Sequence, residues 1–185
     1  MKFKILASDL KAVMTVAGSA TSKDNSRPIL KAVNCRITEN RLIATGIDGY
    51  KMHQISVPCE VTDADDQFGD FNIRPIKEVR SGMFNYSLEV NDDYISYLDE
   101  DSNMKIEMPL MPGTFLKIED ILPKTEIVFS ICMDPKMLQE TLKLYNKEQK
   151  IRLDFYSNNS PVLIHAKDSK AMIMPVRYTK GGDSL

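Results

Sequence analysis

With 185 residues, 43% of them hydrophobic and 27% charged, the chain has material for one large domain or one and a half small ones. Its net charge of -2 and isoelectric point near 5.7 disfavour a tight, sequence-specific reader of DNA grooves, because such proteins are basic overall. No apolar run approaches the roughly 20 residues that a bilayer span needs, and residues 1–6 are interrupted too soon by Ser8 and Asp9 to form a signal peptide, so the cytosol is the expected compartment.

Read in chain order, one pattern recurs three times: a strand, a short helix and a three-stranded meander. Residues 2–6 alternate and predict a strand. Ser8 and Asp9 offer a helix N-cap, Leu10, Val13, Met14 and Ala17 fall at helical spacing, and Gly18 ends the run. Strands are expected at residues 29–37, 41–46 and 51–57, with turns at Glu39-Asn40 and Asp48-Gly49, and Pro58 closes the last.

An acidic linker, 62–66, leads to the second repeat. It has a short strand at 71–73 and a helix begun by Pro75 with an apolar stripe of Ile76, Val79 and Met83. Strands at 86–90, 94–98 and 104–108 follow, and 112–124 forms a connector. The third repeat opens with a strand at 127–133. Asp134 caps a helix whose first turn holds Pro135 and whose inner face carries Met137, Leu138, Leu142 and Tyr145. Its meander strands are expected at 151–156, 161–166 and 171–177, before a loose polar tail at 179–185.

The expected class is therefore α+β, with helices on one face of antiparallel sheets. Repeats 1–61 and 68–111 would complete one domain, with 125–178 a further half-domain. Cys35, Cys59 and Cys132 are odd in number and dispersed, which speaks for small core residues and against disulfides or a zinc site. No cofactor or metal is expected.

Basic residues gather on the helices and their flanks: Lys11, Lys23, Arg27, Arg74, Lys77, Arg80, Lys136, Lys143, Lys147 and Lys150. Linkers and turns hold most of the acids, among them Asp63, Asp92, Asp93, Glu100 and Asp101. An acidic protein with basic helices can present one positive face, which suffices for sequence-independent phosphate attraction. Ordinary solvated helix surface would give the same pattern.

Arg27-Pro28-Ile29-Leu30 and the stretch Thr45-Gly46-Ile47-Asp48-Gly49-Tyr50-Lys51-Met52 resemble the middle domain of the bacterial DNA polymerase III β sliding clamp. Ile121-Leu122-Pro123-Lys124 resembles the segment joining that family's middle and last domains. Pro161-Val162-Leu163-Ile164 and Met172-Ile173-Met174-Pro175-Val176-Arg177 resemble its C-terminal end. Ile47 stands where the family commonly has Thr, and Tyr50 and Lys51 where it has His and Arg.

The resemblance implies a DNA clamp fold of βαβββ repeats without catalytic activity, helices facing duplex DNA, and a hydrophobic pocket that takes a short peptide from a DNA polymerase or another partner. By position that pocket would use Arg27, Leu30, Gly49, Tyr50, Lys51, Met52 and Pro123, with Met137, Pro161, Met172, Met174, Pro175, Val176 and Arg177 from the third repeat. The DNA-facing set would be Lys11, Lys23, Arg74, Lys77, Arg80, Lys136, Lys143, Lys147 and Lys150. The family's usual chain carries six repeats and closes a ring as two copies. Three repeats imply a homo-oligomer, a dimer at least, with a tetramer restoring the family's total.

Two other readings stay open from the residues. One is a clamp-like decoy or adaptor that binds peptides without encircling DNA. The other is an enzyme, for which the chain offers only His53 and His165, far apart, and no nucleophile–base or phosphate-loop motif.

Overall fold

The computed structural model describes residues 1–63, 69–145, 150–167 and 169–177. Two compact units result, Met1–Ile121 and Leu122–Leu185.

In the first unit, β1 (Lys2–Leu6) leads directly into α1 (Ala7–Val16). Phe3 and Ile5 point inward, while Lys2 and Lys4 point outward and pair with Glu89 at 3.4 Å and Glu100 at 2.7 Å. The helix starts earlier than Ser8 and Asp9 suggest, and neither side chain caps it: Leu6 is the N-cap. Its first amides are met instead by chain carbonyls, Ala7 N–H donating to Phe84 and Ser8 N–H to Gly82. Leu10, Val13 and Met14 are buried as their spacing requires.

The first meander is β2 (Val33–Thr38), β3 (Arg41–Ile47) and β4 (Met52–Pro58). β2 begins later than expected, because residues Pro28–Lys31 form a single 3-10 turn. Glu39 and Asn40 both take left-handed φ, 50° and 56°, the geometry of a tight hairpin whose twist matches its strands. β5 (Glu60–Asp63) then runs through the start of the expected linker. It is an edge strand with a polar sequence, hence its likeness to a linker. Positions 64–66 of that linker lie outside the described residues.

The second repeat supplies β6 (Phe71–Ile73), β7 (Asn85–Val90), β8 (Tyr94–Asp99) and β9 (Lys105–Pro109). Between β6 and β7 no helix forms, contrary to the stripe of Ile76, Val79 and Met83. Ile76 and Val79 do reach the core, but Met83 is exposed. Gly82 disfavours helix by about 1 kcal/mol, and the Gly82 and Phe84 carbonyls serve α1.

The pairing decides the architecture. One sheet runs β5-β1-β7-β8-β9 and the other β4-β3-β2-β6. Each repeat thus gives its leading strand to the other repeat's sheet: β1 lies beside β7, and β6 beside β2. Both sheets and α1 enclose one core, which includes Phe3, Leu10, Val13, Cys35, Leu42, Phe71, Ile76, Leu88 and Tyr97. Burying each large apolar side chain contributes roughly 1.5–3 kcal/mol. Cys35 and Cys59 are core residues and Cys132 is half-buried; burial pushes the Cys35 and Cys59 thiols up. The connector after β9 is tied to β6 by Met111 N–H donating to the Asn72 carbonyl and by the Asn72 amide donating to Gly113 O. It carries a one-turn α2 (Ile118–Ile121) that the sequence pattern did not signal.

In the second unit, α3 (Pro135–Leu142) has the expected start: the Asp134 carboxylate accepts from the amides of Lys136 and Met137. β10 (Arg152–Asp154), β11 (Val162–Ala166) and β12 (Ser169–Ile173) form an antiparallel sheet, with β10 and β12 shorter than expected. Residues 127–133 do not form the predicted strand. Nor is the expected inner face of α3 buried: none of its residues is. The predicted tail lies among residues 178–185, outside the described part.

Gly46 on β3 is a sensitive point, since a Cβ there would sit 1.9 Å from the Ala17 carbonyl oxygen. Gly46→Ala is expected to lower unfolding free energy by about 3 kcal/mol. Urea denaturation checks it, and an unchanged midpoint would refute this close approach.

Candidate peptide pocket and nucleic-acid face

The loop after α1, the 3-10 turn at Pro28–Lys31 and the β3–β4 turn meet around a cavity of about 660 Å³. Arg27, Leu30, Gly49, Tyr50 and Lys51 all line it, so the structure brings together five of the residues named from the sequence. Met52 sits behind them, packed with Ile29 and Ile118 on the small cluster of Leu30, Ile47 and Phe115. Leu30 is buried and gives the cavity an apolar floor. The rest of the lining is largely polar: Ser19, Thr21, Ser22, Lys23, Asp24, Ser26 and Asp48. None of those residues was placed in the pocket from the sequence: Asp48 was read as a turn residue, and Lys23 was placed with the DNA-facing set.

The β3–β4 turn is rigidly built. Gly49 has φ +94°, which a side-chain-bearing residue rarely adopts. One Asp48 carboxylate oxygen accepts from the Tyr50 and Lys51 amides at 2.9 and 3.0 Å, and the other accepts from Lys51 Nζ at 2.8 Å. The Lys51 ammonium, followed by those two amides, draws the Asp48 carboxyl down to about 2. Lys51 thereby closes the turn with its charge, leaving Arg27 as a cavity cation without an ion pair among the described residues. Tyr50 stands wholly exposed at the tip.

The third-repeat candidates belong to the second unit. Met172 is on β12, with Met174, Pro175, Val176 and Arg177 directly after it. Met172, Met174 and Val176 are exposed, as are Met137 on α3 and Pro123. Pro161 is half-buried just before β11.

Among the basic residues, Lys11 on α1 donates to the Lys77 carbonyl at 2.9 Å, which brings these two residues together in the first unit. Arg74 and Lys77 are exposed and form no ion pair with any described residue. Arg80 behaves differently. Its guanidinium meets Asp99 at 2.9 Å and Asp101 at 3.0 Å and lies over the Phe84 ring at 5.0 Å. Burial pushes the Asp99 carboxyl up, but amides of Ser102 and Asp101 together with Arg80 outweigh it, and the group stays ionised below its usual range. Arg80 is thus a structural cation whose charge is met locally. Lys136, Lys143 and Lys150 are exposed in the second unit, and Lys147 lies outside the described residues.

Paired sheets that exchange leading strands around a helix-bearing core have the DNA clamp fold, the α+β class expected from the sequence. Solved structures agree. The chain matches the β subunit of the Streptococcus pyogenes DNA polymerase with a TM-score of 0.78 at 14% identity, over 94% of this chain and 50% of that one. For DNA polymerase III subunit β of Borrelia burgdorferi, solved in complex with a natural product, the values are 0.74, 18%, 94% and 48%. For the DNA polymerase sliding clamp of Bacillus subtilis they are 0.68, 14%, 97% and 65%. The chain therefore spans about half the length of the first two. The resemblance read in the sequence is borne out at the level of fold. No protein-family model matches the chain, and no curated protein does.

The Asp48 turn yields a pH prediction. Its folded pKa is depressed, so what it adds to stability is present above the unfolded carboxylate value near 3.9 and is lost as pH falls through about 2. Carboxyl-carbon NMR should titrate Asp48 near 2, and Lys51→Ala should move it up; an ordinary titration near 4 in the unaltered protein would contradict the clip.

Proposed function

We propose that this chain is a sliding clamp: a non-enzymatic, cytoplasmic homo-oligomer that encircles duplex DNA and tethers a DNA polymerase or another partner through a short peptide. The clamp fold combined with the uncovered apolar face of α3 is the observation that carries this reading. A helix of this fold is normally amphipathic because it packs on a neighbour, and the first unit shows the packed case in α1. Two copies of three repeats give six, and four give the twelve of the family's ring.

Topology would hold the DNA, so contacts need only be weak. Solvent-accessible ammonium groups at Lys11, Lys77, Lys136 and Lys143 suit this, since phosphate attraction carries no sequence information and lets a protein slide. The net charge of -2 limits such attraction to one face. In the first-unit cavity, Leu30 offers an apolar seat, Tyr50 an aromatic edge and Arg27 a donor for a peptide carbonyl or carboxylate. No chemistry beyond binding follows from these groups.

Light scattering should give a mass of at least two chains. A single-chain mass at all concentrations would contradict the reading. Replacing Lys143 and Lys147 together by Glu should reduce DNA-dependent polymerase processivity severalfold at unchanged thermal stability; unchanged processivity would remove the basic face from the mechanism. Tyr50→Ala should weaken binding of a polymerase C-terminal peptide about tenfold, the loss of roughly 1.4 kcal/mol at an exposed anchor, as isothermal titration would show.

A further inference from the structure

The third repeat holds, unpartnered, the parts that the first two repeats exchange. In the first unit β1 has two neighbours: β5, which follows its own meander, and β7 of the other repeat. Residues 127–132 have only the counterpart of the first. Val176, just beyond β12, donates its amide to the Cys132 carbonyl at 2.9 Å, and no described strand lies on the other side. Ile127 and Val128 are accordingly 80% and 92% exposed. Likewise β2 is flanked by β3 and β6, whereas β10 has β11 alone. Leu153 on β10 lies opposite the fully buried Ile164, yet is itself 41% exposed at this open edge. On α3, Leu138 and Leu142 stand at the same offsets from the helix start as Leu10 and Met14 on α1. Met14 is 6% exposed and Leu142 37%, and an apolar groove of about 580 Å³ follows Pro135, Leu138, Leu142 and Tyr145.

We propose that two copies of this chain join through their third repeats by exchanging leading strands. Residues 127–132 of each copy add antiparallel to β10 of the other, and the two α3 faces close over the combined core. This deepens the clamp reading and rests on its homo-oligomer. One two-fold axis satisfies both open edges at once, which makes the contact isologous and self-limiting. A second copy is the natural occupant because the two edges are complementary and sit on the same chain.

The residue pattern fits one register. In the first unit, core-facing Ile73 and Phe71 of β6 lie opposite core-facing Val33 and Cys35 of β2. Ile73-Arg74-Pro75 corresponds to Met133-Asp134-Pro135. Carrying the same alignment over sets Met133, Ile131 and Phe129 opposite Ile151, Leu153 and Phe155, apolar against apolar at every second residue. The intervening Cys132 then faces Arg152.

That register supplies the experiment. Arg152→Cys, mildly oxidised, should give a covalent dimer on a non-reducing gel. Mass spectrometry of isotopically distinct copies should find a disulfide-linked peptide pair that joins Cys132 of one copy to the introduced thiol at position 152 of the other. Adding Cys132→Ser should abolish that pair. In the unaltered multimer, hydrogen exchange at the amides of 128–132 should be slowed at least a hundredfold, and Ile131→Pro should abolish both protection and association. A multimer whose 128–132 amides exchange freely and which gives no such peptide pair overturns the strand exchange while leaving the clamp reading intact. A monomer at every concentration overturns both.

Discussion

A β-strand needs hydrogen-bonding neighbours, and in this chain the leading strands of the first two repeats find them in each other's sheet. The first two repeats solve the problem reciprocally through β1–β7 and β6–β2 pairing. Their core is therefore jointly built, and α1 has an apolar surface to cover. The third repeat has the same need with no described strand to meet it. Among the described residues its leading segment has no strand along one side, its sheet has three strands, and no residue of α3 is buried. Backbone pairing and side-chain burial thus fail together, because one missing neighbour accounts for both.

The candidate site shows how local charge pairing divides residues that look alike in sequence. Lys51 and Arg80 are both basic and both near the expected surfaces, but carboxylates of the chain pair with each of them. Arg27, Arg74 and Lys77 form no ion pair among the described residues. The cavity beside Tyr50 is likewise more polar than a purely hydrophobic groove, with Leu30 as its apolar floor. A peptide bound there, as proposed, would be held by a few anchors and backbone contacts, not by buried area alone.

Much of this fold was legible. Alternation at Phe3 and Ile5, helical spacing at Leu10, Val13 and Met14, and the tight turns at Glu39-Asn40 and Asp48-Gly49 are local signals, and they gave the elements. What failed were elements whose fate is decided elsewhere. Residues 127–133 have a strand's composition but, among the described residues, no strand beside them, only the Val176 amide on the Cys132 carbonyl. The stretch after Pro75 has a helix's stripe, yet its carbonyls are engaged by α1. β5 is polar because it is an edge. At the site, the Asp48-Gly49 turn pointed to the right place, whereas the polar lining arises only when the loop after α1 folds against that turn. Arg80 could not be separated from the free cations without knowing that Asp99 and Asp101 face it.

The central claim is that copies of this chain complete one another around a shared opening lined by their basic helices. Electron microscopy of the purified protein with and without duplex DNA tests it most directly. A closed ring with α1 and α3 on its inner wall and the duplex passing through is the predicted arrangement. Solitary chains, or an assembly whose helices face outward, would contradict it.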